Sequence, residues 1–273
     1  MGDVTQQEPS RSQNTGSLAG SVIIVTGSSR GIGRAIALRL AHEGATIVLT
    51  ARHGAALAQV AEEIEAAGGK ATWFAADLRA AESAAALVET ALKSHGVIDA
   101  LVNNAGATRR GDFFELSDAD WADGFALKFF GAMRLTRAAW PHLKQRHGAV
   151  LNIIGVGGRT PGAEFTIGGS VNGACLSFTK ALADIGIRDG VQVNAINPGY
   201  VRTDRLRARL SSLAAEHGGS FEAAEAEIVR SLNTVRIGEP EDVANLAAFM
   251  LSPNSRYLQG ALIDLDGGQT KTV

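Results

Sequence analysis

The chain has 273 residues, of which 45% are hydrophobic and 20% are charged, and its formal net charge is −2. These values are typical of a globular chain, and the net charge gives no electrostatic sign of binding to nucleic acid or to an acidic membrane. No apolar run reaches the roughly 18 residues that span a bilayer, and the single cysteine, Cys175, excludes an internal disulfide and a cysteine-based zinc site, so we expect a cytoplasmic protein without a metal.

The chain opens on a polar segment, and regular elements follow it. Residues 1–17 lack the apolar core of a signal peptide, so we expect them to form a disordered tail before one domain over residues 18–273. Short β-rich runs then alternate with helical stretches such as Gly31–Glu43 and Ala55–Ala67. Strands are predicted over Val22–Thr26, Ala45–Ala51, Ala71–Ala76, Ala100–Val102, Ala149–Ile154, Val191–Ile196 and Ala261–Leu265.

Apolar strands separated by helices predict a parallel sheet that is covered on both faces. Since crossovers between parallel strands are right-handed, the expected arrangement is an α/β doubly wound Rossmann fold with a single sheet of about seven strands. The less hydrophobic stretch Ser211–Asn233 contains two adjacent glycines, which predicts a helical flap near residues 203–233, beside the substrate cleft.

A glycine-rich turn follows the first predicted strand and reads TGSSRGIG over residues 26–33. Glycines in such a turn allow the backbone to approach a pyrophosphate, and the helix that starts at Gly31 points its free N–H groups and positive dipole end at the phosphates. We therefore predict a dinucleotide site. Its contacts from this turn are Gly27, Ser29, Arg30, Gly31, Ile32 and Gly33.

The TGxxxGxG spacing resembles that of the short-chain dehydrogenase/reductase family, and the resemblance runs from about Leu18 to Gly268. Later motifs are similar to the family's in order and spacing: DL at 77–78, NNAG at 103–106, PGYVRT at 198–203 and DGG at 266–268. The resemblance implies further cofactor contacts. They are Asp77, Leu78, Asn104, Ala105, Gly106, Pro198, Gly199, Val201 and Thr203.

The end of the second predicted strand indicates which dinucleotide is bound. An NAD site usually has an acidic residue there for the ribose hydroxyls, but the sequence reads LTAR over residues 49–52. Arg52 can instead pair with a 2′-phosphate, and Arg30 lies in the glycine turn within reach of the same group. Two solvated surface arginines are the alternative. The missing acid favours NADP(H) as the cofactor.

The family's proton-transfer residues are absent. Members that reduce carbonyls use a Ser, a Tyr, a Lys four residues after the Tyr, and an Asn on the preceding long helix. The segment Phe178–Ala183 resembles the family's LTKxLA tail and sets the alignment. The resemblance then places the Ser, Tyr, Lys and Asn positions at Gly155, Gly168, Asn172 and Lys128. We expect Asn172 to keep one contact with a ribose hydroxyl.

Lys128 is the candidate proton donor. Helical spacing places it on one face with Trp121, Phe125, Ala132 and Leu135, where desolvation would lower its pKa toward neutrality. The alternative is a lysine whose stem packs on the helix while its charged end reaches solvent. The apolar run Phe125–Trp140 exceeds what one sheet face covers, and together with the family resemblance it predicts a homodimer or homotetramer.

These features favour an NADP(H)-dependent oxidoreductase that acts on a small carbonyl, alcohol or imine through a non-standard proton-transfer site. Two alternatives stay open on the sequence. One is a non-catalytic protein that binds or senses a dinucleotide, and the other is a non-redox lyase or isomerase that uses the same pocket. A small molecule is the expected substrate in each enzymatic case.

Overall fold

The computed structural model describes residues 16–217 and 220–272, and their strands form one parallel sheet. The strands of this part of the chain are β1 (Val22–Thr26), β2 (Thr46–Ala51), β3 (Lys70–Ala75), β4 (Ala100–Asn103), β5 (Ala149–Ile153), β6 (Gln192–Pro198) and β7 (Leu262–Leu265). They are arranged in the order β3-β2-β1-β4-β5-β6-β7. The predicted doubly wound Rossmann fold is confirmed.

The sheet is apolar because its central strands are covered on both faces by helices. Every residue of β1, β4, β5 and β6 is buried, whereas the edge strand β3 exposes Lys70 and part of Trp73. Each predicted strand begins and ends within two residues of an observed one. Strand order reverses between β1 and β4, which is the point at which sheets of this kind bind ligands.

Helices follow the strands and cover the sheet. In the described residues they are α1 (Gly31–His42), α2 (Gly54–Ala66), α3 (Ser83–His95), α4 (Asp118–Phe125), α5 (Ala132–Arg146), α6 (Thr166–Asp189), α7 (Asp204–His217), α8 (Phe221–Leu232) and α9 (Pro240–Leu251). A π-helix, Ala126–Gly131, joins α4 to α5. No helix in this part of the chain is both long and apolar enough to cross a membrane.

Two helices occupy the segment that was predicted as a flap. Helices α7 and α8 pack on each other through an apolar cluster that includes Leu206, Leu210 and Ile228. Arg202 anchors the start of this segment, because its guanidinium pairs with Glu225 of α8 and with Glu239 before α9. The segment is therefore a packed helical pair over the carboxyl edge of the sheet, the edge at which the strands end.

The N-terminal boundary differs from the predicted one. Residues 1–15 of the predicted tail lie outside the described residues. Ser17, however, donates hydrogen bonds to the Glu43 carboxylate from its backbone N–H (3.1 Å) and from its hydroxyl (2.8 Å). The pKa of Glu43 is lowered to about 2, mainly by a hydrogen bond from Arg39 and further by the two hydrogen bonds from Ser17. Ser17 therefore belongs to the ordered domain and not to a tail.

Helix α1 lies so close to β1 that one position leaves no room for a side chain. A Cβ atom added at Gly33 would overlap the carbonyl oxygen of Gly27 and the side-chain amide of Asn104. Both neighbours belong to the loops that follow β1 and β4, and both are rigid. The glycine is thus a packing requirement of the fold as well as part of the phosphate motif.

We predict that Gly33→Ala destabilises the protein by about 1–3 kcal/mol, the usual cost of overpacking a rigid site. Urea denaturation followed by circular dichroism measures the change in the free energy of unfolding. Gly162→Ala is the matched control, since Gly162 has a φ of −88° and nothing lies within 4 Å of an added Cβ. Equal stability of the two variants would contradict the close approach of α1 to β1.

Candidate functional site

The loops after β1 and β4 are joined by hydrogen bonds at the carboxyl edge. The Thr26 hydroxyl accepts from the backbone N–H of Asn104 and of Ala105, both at 2.9 Å. In return the Asn104 side-chain amide donates to the Thr26 carbonyl at 2.9 Å. The predicted NNAG contacts Asn104, Ala105 and Gly106 are therefore held beside the glycine turn.

The glycine turn opens α1 without a side-chain cap. Arg30 is the N-cap residue and its side chain makes no capping bond, so the first N–H groups of α1 are left for another acceptor. Gly31 has a φ of 54°, a left-handed conformation that favours glycine. The Thr203 methyl group would lie 3.3 Å from a Cβ at Gly31. The turn and the PGYVRT loop thus face each other.

Two accessible arginines stand at the ends of the first two strands. Arg30 and Arg52 are both exposed, and neither forms an ion pair with any residue of the described chain. Some other arginines at this edge are paired, as in Arg79–Asp123 at 2.5 Å. Two guanidinium groups without a carboxylate partner are therefore available to an anion here.

The remaining predicted cofactor contacts also lie at this edge. Asp77 follows β3 and accepts from the backbone N–H of Arg79 at 3.0 Å, and Leu78 beside it is buried. Gly199 packs against Asp266 of the DGG turn, where an added Cβ would come within 2.8 Å of the Asp266 Cβ. Val201 is buried and bridges to Gly238. Ser29 and Ile32 are half-buried within the glycine turn.

The position that the resemblance assigns to a tyrosine is filled by a different aromatic ring. A Cβ added at Gly168 would overlap Cε2 and Cζ of Phe165. Phe165 ends a short 3₁₀ turn, Ala163–Phe165, directly before α6, so its ring folds back over the first turn of that helix. No local sequence pattern indicates which way this ring points, so Phe165 is not among the predicted site residues.

The positions assigned to serine and lysine face each other but carry no hydroxyl or ammonium group. Gly155 has a φ of 127°, which a serine would adopt only with strain. Asn172 is 3% exposed and donates from its amide to the Gly155 carbonyl at 3.4 Å. Its Oδ1 is buried and has no hydrogen-bond partner among the described residues. One buried acceptor is therefore left open beside Gly155.

Lys128 lies in the π-helix, with its ammonium between β4 and β5. Its stem packs against Gly106, where an added Cβ would be 2.9 Å from the Lys128 Cδ, and Nζ donates to the Ile154 carbonyl at 2.5 Å. The side chain is half-buried and lines a small cavity together with Asn103, Asn152 and Cys175. Desolvation lowers the pKa of Lys128 to about 8.

The helical face predicted for Lys128 runs across the π-helix. Trp121 and Phe125 pack in one apolar cluster with Ile167, whereas Leu135 belongs to another cluster, beneath the sheet. The π-helix lies between these two segments, and its wider turn of i→i+5 bonds changes the register between α4 and α5. Such turns occur often at functional sites, and this one turns Lys128 toward Ile154 and Gly106.

Three arginines that the sequence analysis missed lie near these positions. Arg110 follows β4 and its guanidinium lies 4.0 Å from the centre of the Phe165 ring. Arg205 and Arg209 lie one turn apart on α7; Arg205 donates to the Gly106 carbonyl at 3.0 Å and Arg209 to the Tyr200 hydroxyl at 3.0 Å. Their i, i+4 spacing was the available signal, but nothing local placed α7 opposite Arg110.

No group of three or more His, Cys, Asp or Glu side chains in the described residues is arranged to hold a metal ion. Cys175 is buried beneath Lys128, and burial raises the pKa of its thiol.

Known proteins resemble this chain over most of its length. A family model described as short chain dehydrogenase matches residues 21–213. The short-chain reductase protein NovJ of Streptomyces niveus is 35% identical over 250 residues, which are 91% of this chain and 94% of NovJ.

Solved structures agree with the sequence relatives. An L-sorbose reductase from Gluconobacter frateurii, complexed with NADPH and L-sorbose, has a TM-score of 0.91 and 32% identity and covers 95% of this chain and 100% of its own. A short chain dehydrogenase from Burkholderia cenocepacia, in complex with NADP, has a TM-score of 0.82 and 30% identity, with coverages of 93% and 99%. Because the family model and these relatives span most of the chain, the protein belongs to the short-chain dehydrogenase/reductase family and is an oxidoreductase.

Proposed function

We propose that this enzyme is an NADP(H)-dependent reductase of a small carbonyl or imine, or the corresponding alcohol dehydrogenase, in which Lys128 transfers the proton. The observation that carries the proposal is the Lys128 ammonium, which donates a hydrogen bond to the Ile154 carbonyl, one residue before the position assigned to the family's serine. A cationic acid near the nicotinamide end of the site takes over the work of the absent tyrosine.

The residues present fit a nicotinamide dinucleotide. The uncapped N-terminus of α1 offers N–H groups to a pyrophosphate, and the glycines leave space for it. The buried Oδ1 of Asn172 lacks a donor, and a ribose hydroxyl can supply one. When bound, the dinucleotide supplies or accepts the hydride. We propose as its contacts Gly27, Ser29, Arg30, Gly31, Ile32, Gly33, Arg52, Asp77, Leu78, Asn104, Ala105, Gly106, Asn172, Pro198, Gly199, Val201 and Thr203.

The choice of NADP(H) rests on Arg30 and Arg52. Both guanidinium groups are exposed and without an ion-pair partner in the described chain, as a 2′-phosphate site requires. The sorbose reductase and the Burkholderia dehydrogenase are described with NADPH and NADP, and this supports the same choice here.

The proton step follows from the surroundings of Lys128. Its pKa of about 8 keeps the ammonium largely protonated at neutral pH, yet weakens its hold on the proton by comparison with an exposed lysine. The Ile154 carbonyl holds Nζ at the carboxyl edge while Gly106 allows the stem to pass. In the oxidative direction the neutral amine accepts the proton. An imine would need less of this assistance, because it can bind already protonated.

A homodimer or homotetramer with a small-molecule substrate remains our prediction for the assembly. Within the run Phe125–Trp140 the side chain of Phe130 is 40% exposed, and Phe113 and Phe114 before α4 are also exposed. These apolar groups support an interface on this side of the molecule.

Replacing the two unpaired arginines tests the cofactor. We predict that Arg30→Met and Arg52→Met each weaken NADPH binding by about tenfold to a hundredfold, since each removes a charge-assisted hydrogen bond, and leave NADH binding nearly unchanged. Titration of NADPH fluorescence measures the dissociation constants. Arg230→Met on α8 is the control and should bind like the wild type. Equal losses for NADH and NADPH would show that these arginines do not select the phosphorylated ribose.

Replacing Lys128 tests the proton donor. We predict that Lys128→Met lowers kcat for reduction by about 10²–10⁴, the usual contribution of a positioned acid, without a change in NADPH affinity. Because only the ammonium form donates, wild-type kcat for reduction should fall as pH rises through about 8. Steady-state assays over that range, with Lys93→Met as the exposed control, measure both effects. An unchanged kcat in Lys128→Met would remove the lysine from the mechanism.

A further inference from the structure

Three arginine side chains lie near one another beside Phe165 and the Gly106 loop. Arg110 comes from the loop after β4, while Arg205 and Arg209 project from the same side of α7. We call these three residues the arginine cluster. Arg110 lies over Phe165, the ring that fills the space above Gly168, and Arg205 reaches the Gly106 carbonyl. The cluster therefore stands beside both the assigned tyrosine position and the loop that packs on Lys128.

The cluster has no carboxylate partner in the described part of the chain. None of its members forms an ion pair with a described residue, in contrast to Arg202, which is bonded to two glutamates, and Arg236, which pairs with Asp242 at 2.7 Å. The acidic group that faces Arg110 is Glu164, which attracts it from beyond ion-pair distance. The recorded bonds of Arg205 and Arg209 are to neutral oxygens, those of Gly106 and Tyr200.

The positive charges also act on one another. The pKa of Arg110 is lowered by desolvation and, to a smaller extent, by repulsion from Arg209. The pKa of Arg205 is lowered by desolvation and by repulsion from Arg30. The side chains remain in contact with solvent, so this crowding is relieved when an anion replaces water between them. A stabilising structural role does not explain such an arrangement, since like charges without a counter-ion destabilise the fold that holds them together.

We propose that Arg110 and Arg209, with Arg205 between them and the cofactor cradle, bind an anionic group of the substrate. The inference rests on the proposed function and narrows it to a carbonyl compound that carries a carboxylate or a phosphate, such as a small oxo acid or a phosphorylated ketone. Guanidinium forks match both groups, because each presents two oxygens in the spacing of two N–H donors.

Binding of simple anions tests the proposal without turnover. Oxalate, inorganic phosphate and the uncharged oxamide are titrated calorimetrically into the protein, with and without saturating NADP⁺. We expect at least one anion to bind about tenfold or more tightly than oxamide, and Arg110→Met and Arg209→Met each to weaken it by about tenfold or more. A preference for oxalate assigns a carboxylate to the substrate, and a preference for phosphate assigns a phosphate.

Arg207→Met is the matched control, since Arg207 lies on α7 between the two cluster residues, is exposed and has no recorded side-chain bond in the described chain. It should bind the anion like the wild type. The proposal is overturned if neither anion binds better than oxamide, if Arg207→Met loses as much affinity as Arg110→Met, or if the anion binds only in the absence of NADP⁺, which would place it in the cofactor cradle.

Failure of the proposed function is distinguished by a separate measurement. NADPH affinity is determined for the wild type and for each variant. If the wild type does not bind NADPH, the cofactor assignment is refuted. The anion titrations of the free protein still decide whether the arginine cluster binds an anion. Where turnover is found, kcat/KM for a 2-oxo acid relative to its methyl ester should fall in Arg110→Met and stay constant in Arg207→Met.

Discussion

The Thr26 hydroxyl accepts hydrogen bonds from the N–H groups of Asn104 and Ala105, and the rest of the site depends on this junction. It joins the loops after β1 and β4 at the point where the strand order reverses. With Asn104 held there, α1 starts directly above β1 and leaves no volume at Gly33. The same loop carries Gly106, against which the stem of Lys128 packs. The phosphate cradle and the proposed acid are therefore positioned by one set of backbone contacts.

The residues around Gly168 differ from those that the family resemblance places there. Phe165 fills the volume of the missing tyrosine, and Asn172 leaves one buried acceptor where a lysine would carry charge. We propose that Lys128 supplies the positive charge from the π-helix, where its ammonium bonds to the carbonyl of Ile154. In our proposal the positive charge comes from Lys128 in the π-helix and not from a lysine on α6. The proton is still transferred at the carboxyl edge of the sheet.

Two groups of arginines that are unpaired in the described chain lie along this edge, and Arg30 of one group repels Arg205 of the other. Arg30 and Arg52 lie at the ends of β1 and β2, on the side where the adenosine half of a dinucleotide belongs in this fold. The arginine cluster lies beyond β4, next to Phe165. The chain as a whole carries a net charge of −2, so these unpaired arginines are a local feature and not a general basicity. Both regions are suited to anions, but we propose that one selects the cofactor and the other the substrate.

The sequence by itself determined the features that depend on local pattern. Apolar runs predicted the strands to within two residues, and the glycine turn and the later motifs predicted the family. Three features were decided only by the tertiary structure. They are the π-helix that contains Lys128, the position of the Phe165 ring and the proximity of Arg110 to α7. Periodicity assumes an unbroken α-helix, so it cannot register an i→i+5 turn. The proximity of Arg110 to α7 joins segments that are distant in the chain, and the position of the Phe165 ring depends on a side-chain rotamer. Both are decided by packing between elements, which a local pattern does not contain.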